Sequence, residues 1–196
     1  MRQSCVHFFP MSSRVRLILV LSLLLLAPAY GADEVQSRRA DLGVRLFRTL
    51  LAADLDLPKK TVENNQLLVV FYYVDDKRRA EELASRFVGQ PAEKVRDMVV
   101  ITEVSNDPAF AKYATRGPAA VFIAQPPNAS LLRSVIKFGI DRHLIVYSPF
   151  EGHVEKGVLG GLAVEAQVKP FVNMTTLDQS HVSLKAFFMQ VAKKFK

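Results

Sequence analysis

The stretch Leu67-Leu68-Val69-Val70-Phe71-Tyr72-Tyr73-Val74 decides the fold class. It carries no charge and is rich in β-branched and aromatic residues. Such a continuous apolar run fits a strand covered on both faces, not one with a wet side. The sequence on either side agrees. Residues from about Asp33 to Ala53 place Leu42, Leu46, Phe47 and Leu50 at helical spacing, and Pro58 ends that helix. Asn64-Asn65 marks the turn into the strand. After it, Asp75-Asp76 offers a helix N-cap, Ala80, Leu83, Ala84 and Phe87 form a helical stripe, and Gly89 is placed to stop it.

The pattern recurs downstream. Met98–Val104 and Ala119–Ala124 read as strands. Between them Pro108 suits a first helical position, with a short helix through Tyr113. Leu132, Val135 and Ile136 read as a helix closed by Gly139, and His143–Tyr147 as a fourth strand. Strand, helix and strand joined by short loops imply a mainly parallel sheet with helices on both faces. Val158–Val164 and Val168–Val172 are too close for a helical crossover, so they predict a hairpin and a mixed sheet. Gly160-Gly161 predicts a bulge or a close backbone approach, and Pro170 predicts an edge strand. A last helix from about Ser183 would carry Leu184, Phe187, Phe188, Val191 and Phe195 on one stripe, with Lys193, Lys194 and Lys196 at its C-terminal dipole. The expected fold is a single three-layer α/β domain: a mainly parallel mixed sheet, helices on both faces, and a C-terminal hairpin plus helix.

The 196 residues are 49% hydrophobic and 23% charged, which excludes disordered and low-complexity classes. The net charge of +7 is unevenly spread. Residues 1–32 hold Arg2, Arg14, Arg16, the lone Cys5 and no acid; without them 23 basic residues face 19 acidic, a net charge of +4. Arg14 and Arg16 precede the apolar run Leu17–Leu26, and small residues follow through Ala32. That order reads as a secretory signal peptide over residues 1–32, cleaved near 29–32, with Met11 as a second candidate start. The run is too short for a membrane span. The remainder, 33–196, is expected as one exported domain, with the periplasm as its compartment.

Chemical equipment is sparse. No glycine loop follows the first strand, so phosphate-cradling nucleotide motifs are absent. His143, His153 and His181 lack metal-ligand spacing, and no cofactor is implied. Ser148 with His153 and Asp141 nearby lacks the nucleophile-elbow motif. The basic clusters Lys59-Lys60, Lys77–Arg79 and Lys193–Lys196 have no interleaved aromatics of the kind that bind nucleic acid, so no nucleic-acid partner is expected. Asp75, Asp76, Glu103, Asp107 and Glu151 fall near carboxyl ends of strands, where open α/β sheets bind ligands. By the same rule Asp75, Asn106, Gln125, Tyr147 and Ser148 are the candidate ligand-binding residues.

Several segments together resemble the YfiR/HmsC-like family of small periplasmic regulatory proteins. They are Leu46–Pro58, Ala120–Ile123, Leu144–Gly152, and Gly157 through Phe171-Val172-Asn173 followed by Val182–Lys185 and Val191–Lys193. The chain lacks the family's cysteines and its Trp-Pro pair, and Pro149 stands where the family has Asp. The resemblance implies a non-enzymatic regulator. Its partner would be the periplasmic part of a membrane-bound signalling protein, a diguanylate cyclase or a sensor kinase, restraining cyclic-di-GMP synthesis in the first case. No interface residue carries over, and a homodimer stays open. The alternative is a small-molecule binding module resembling the solute-binding component of a transporter.

Overall fold

The computed structural model describes residues 29–89 and 94–196. Of the expected leader over residues 1–32, residues 1–28 lie outside the described residues, and 29–32 are helical. The chain divides into two compact units, Met1–Ser37 and Arg38–Lys196.

Helix α1 spans Ala29–Ala53. Ala40, Val44, Phe47, Leu50 and Leu51 are its buried stripe. Leu42, expected on that stripe, is exposed, because the buried face is centred a fraction of a turn away on Val44 and Phe47. Strand β1 is Gln66–Tyr72. Helix α2, Lys77–Val88, starts where the Asp76 carboxylate accepts from the Arg79 amide. Strands β2 (Lys94–Val95) and β3 (Met98–Ser105) form a short antiparallel pair. Strand β4 is Ala120–Ile123, helix α3 Ala129–Asp141 and strand β5 Ile145–Ser148. Strands β6 (Gly160–Val164) and β7 (Val168–Asn173) make the expected hairpin. Short helices α4 (Met174–Gln179) and α5 (Ala186–Val191) follow, then strand β8, Lys193–Phe195.

One eight-stranded sheet runs β2-β3-β1-β4-β5-β6-β7-β8. Only β2–β3 and β6–β7 are antiparallel. Alternate residues of β1 serve opposite layers. Leu67, Val69 and Phe71 pack with the stripes of α1 and α2, while Leu68, Val70 and Tyr72 pack with Leu132 and Val135 of α3. Both faces are covered, which is the physical reason for the uncharged run. The three-layer α/β expectation is met.

Four local expectations are corrected. Gly139 does not close α3 but lies inside it, where a Cβ would collide with Val146 Cγ2; the glycine lets helix and strand approach. Pro108 sits in a turn, and the following 3-10 turn covers only Ala111–Tyr113. Pro170 is not on an edge strand. It pairs with Leu162, and the β8 ladder begins one residue later at Phe171, so its missing N–H falls just outside the pairing. The final helix is replaced by α5 and β8. Phe188 is buried, Phe187 and Val191 are exposed, and Lys193 and Lys194 lie in a strand instead of at a helix terminus. The glycine pair resolves as close approach: a Cβ on Gly161 would lie 2.6 Å from Val154 Cγ2 and 2.8 Å from Ser148 O.

Candidate ligand-binding site

The order β3-β1-β4-β5-β6 places the reversal of strand progression between β1 and β4. Open sheets of this kind bind ligands beyond the carboxyl ends of the strands at that point. Here the position is filled by the protein itself. Gln125 Oε1 accepts from the backbone amides of Val74, Asp75 and Asp76 at 2.9, 3.1 and 2.9 Å. Its Nε2 donates to Asp75 Oδ1 at 2.9 Å. The expected residues Asp75 and Gln125 are therefore brought together, but they satisfy each other. Three convergent amides are an anion-binding arrangement, and a neutral amide oxygen occupies it. Asn106 is exposed in the loop after β3. Glu103 is engaged by Lys112 at 2.7 Å and by the Tyr113 hydroxyl at 3.1 Å.

Tyr147 and Ser148 end β5 and point into the interior. The Tyr147 ring lies 5.4 Å from Phe47 and 5.6 Å from Phe122, centroid to centroid. Its hydroxyl is buried without a hydrogen-bond partner. Burial pushes the phenol well above its ordinary range, and Arg39 pulls weakly the other way. Ser148 is 0% exposed, so a ligand has no access to its side chain. Ser148 Oγ is 2.8 Å from His153 Nδ1 and accepts from the Phe150 amide at 3.2 Å. Burial, with a smaller push from Lys156, takes His153 down to about 4, so the imidazole is neutral at pH 7. The pair ties the loop after β5 to the end of the strand. The chain separation of five residues was visible in the sequence; the hydrogen bond depends on how the loop turns back.

A cavity of about 370 Å³ opens beside that loop. Phe150, Val154, Leu162 and Phe171 give it an apolar lining, and Val154, Ala163 and Phe171 form a small buried cluster of their own. Charges of both signs line it: Arg39 from α1 and Lys193 from β8, against Glu151 and Glu155 from the loop. Arg39 is held by its Nε, which donates to Pro149 O at 3.1 Å. Lys193 sits 3.0 Å from Glu165 and 5.1 Å above the Phe171 ring. Of the five expected site residues none lines this cavity; Tyr147 and Ser148 lie beneath the loop that does. Glu151 is recognisable in the sequence as a carboxylate past a strand end. Arg39 and Lys193 carry no local signal, because each looks like a solvated charge on its own element.

No family model matches the sequence, and no curated protein matches it. Two of the solved structures similar to it are the following. One is the ABC domain in complex with L-Trp from Streptococcus pneumoniae, at 11% identity over 79% of this chain and 61% of that one, with a TM-score of 0.52. The other is a conserved domain protein from Vibrio cholerae O1 biovar El Tor, at 11% identity over 80% and 60%, with a TM-score of 0.49. The chain thus spans about three fifths of the length of each. Among the described residues no helix is long and apolar enough to cross a membrane. What this chain shares with the streptococcal domain is an α/β fold.

Proposed function

We propose that the domain is a binding module for a small amphoteric molecule with an apolar body, held in the cavity beside the β5 loop. The observation that carries this reading is the lining: two cations, two carboxylates and an apolar floor around about 370 Å³. That volume lies within the range of small-molecule sites. The cavity sits beside the loop that follows β5, away from the filled position between β1 and β4. A fold shared with a domain solved with L-Trp supports the same reading. In it, Arg39 and Lys193 hold an acidic group, Glu151 and Glu155 hold an ammonium, and Phe171 and Leu162 take the side chain.

The test is calorimetric titration with the common L-amino acids, L-Trp included. At least one should bind with a millimolar or tighter constant. A charge-assisted hydrogen bond contributes about 1.5–3 kcal/mol, so Arg39→Gln and Glu155→Gln should each weaken that probe about tenfold or more. Absence of binding by every amphoteric probe at millimolar concentration would sink the reading.

A second reading is an exported, non-enzymatic regulator that docks on a membrane signalling protein, as the family resemblance implies. Phe187 and Val191, each 59% exposed and four residues apart on α5, favour it as an apolar contact pair. Affinity capture of membrane proteins by the wild-type chain, lost in a Phe187→Ser/Val191→Ser variant, is its expected outcome. Capture unaffected by that variant contradicts it.

A further inference from the structure

A second cavity, of about 490 Å³, lies at the opposite end of the sheet, where the chain enters β1 and β5. Its lining is Asp56, Lys59, Lys60, Arg142, His143 and His181, with no apolar side chain among them. The groups come from three separate segments: the turn after α1, the end of α3 and the end of α4.

Each carboxylate there already has a cation. Asp56 is 2.6 Å from Lys59, and the fully buried Asp54 beneath is 2.7 Å from Lys60. Lys60 is thereby fixed in place, with its side chain 13% exposed. Arg142 donates from Nη2 to Ala114 O at 3.0 Å and lies 6.0 Å from the Phe138 ring centroid. His143 Nδ1 is 3.0 Å from the carbonyl oxygen of Ser180, which can only accept. The His143 Nδ1–H therefore donates to that carbonyl, which fixes the ring's orientation. The His143 and His181 rings lie 5.4 Å apart. Both residues have left-handed backbone, with φ of 58° and 51°. Each is the first residue past a helix C-cap, after Arg142 and after Ser180, where left-handed backbone ends the helix.

We propose that this cleft binds a phosphate group, as a phosphomonoester or diphosphate. Three cations stand beside two imidazoles; Lys59 and Lys60 balance Asp56 and Asp54, and Arg142 carries the remaining positive charge of the cleft. A multi-oxygen anion takes hydrogen bonds from several converging donors, and the arginine fork suits it best. This site is independent of the cavity beside the β5 loop.

The experiment uses the full 196-residue chain. In one arm it is titrated with pyrophosphate and inorganic phosphate, with chloride as the control. In the other it is sedimented with phosphatidylcholine vesicles with and without phosphatidic acid. Arg142→Gln and His181→Asn are the variants, since asparagine tolerates left-handed backbone. Binding to soluble phosphates that falls about tenfold in Arg142→Gln supports a free phosphate ligand. Sedimentation that needs phosphatidic acid and falls in the same variant supports a lipid headgroup. His181→Asn carries the test if Arg142→Gln does not fold. No uptake in either arm, equal competition by chloride, or affinity unchanged in both variants would overturn the proposal.

Discussion

Acid should weaken this fold through one side chain, His153. The ring is 6% exposed, 2.8 Å from Ser148 Oγ, and its pKa falls from 6.5 to about 4 on folding. The folded value is the lower one, so the unfolded chain takes up the proton first as pH falls. Stability is therefore intact above pH 6.5 and is lost on descending from there towards pH 4. At 1.36 kcal/mol per pKa unit, the loss reaches about 2.5 kcal/mol by pH 4.5, with a slope near 1.2 kcal/mol per pH unit around pH 5.3. The perturbation that isolates it is His153→Asn, whose amide nitrogen replaces Nδ1 and does not titrate. Urea unfolding followed by far-ultraviolet circular dichroism between pH 7.5 and 4.5 measures both proteins. Carboxylates contribute equally to each, so the difference between the two curves reports His153 alone. His153→Asn is expected to be the less stable protein at pH 7.5 and to close most of that gap by pH 4.5. Parallel curves across this range would refute the reasoning, because they would mean the imidazole protonates as readily folded as unfolded.

Other outcomes follow from the same geometry. Gln125→Ala removes four hydrogen bonds and uncovers the Val74, Asp75 and Asp76 amides; at about 1 kcal/mol each, partly recovered by water, the cost should be about 2 kcal/mol in denaturant unfolding. Tyr147→Phe deletes a buried hydroxyl that has no partner, so its melting temperature should match or exceed wild type; a loss above about 1 kcal/mol would show that the hydroxyl is bonded.

The layers were legible because hydrophobic pattern is a local property. The uncharged run is buried on both sides over Leu67–Tyr72, with Tyr73 half-buried and Val74 exposed past the strand end, and Asp76 capping α2 needs only the next three residues. The C-terminal segment misled for the same reason. Phe187, Phe188, Val191 and Phe195 do repeat at helical spacing, yet only Phe188 is buried. Pairing of Lys193–Phe195 with Phe171–Asn173 overrides the helical pattern, and ladder partners more than twenty residues away are invisible to periodicity. The candidate site was legible only as a region. Strand ends single out Tyr147, Ser148 and Gln125, but side-chain direction decides what each does: Tyr147 and Ser148 turn inward, and Gln125 reaches back across fifty residues to cover three amides.

The sequence by itself determined the α/β layering, the helix cap at Asp76, the hairpin after Gly157 and the absence of cysteine after residue 32. Each of these rests on neighbours a few residues apart. Only the tertiary structure decided that Arg39 and Lys193 share a cavity with Glu151 and Glu155, and that Lys60, Arg142 and His181 share another. A charged side chain on a helix or strand reads the same whether it meets water or a distant partner. What distinguishes the two is the packing of elements far apart in the chain.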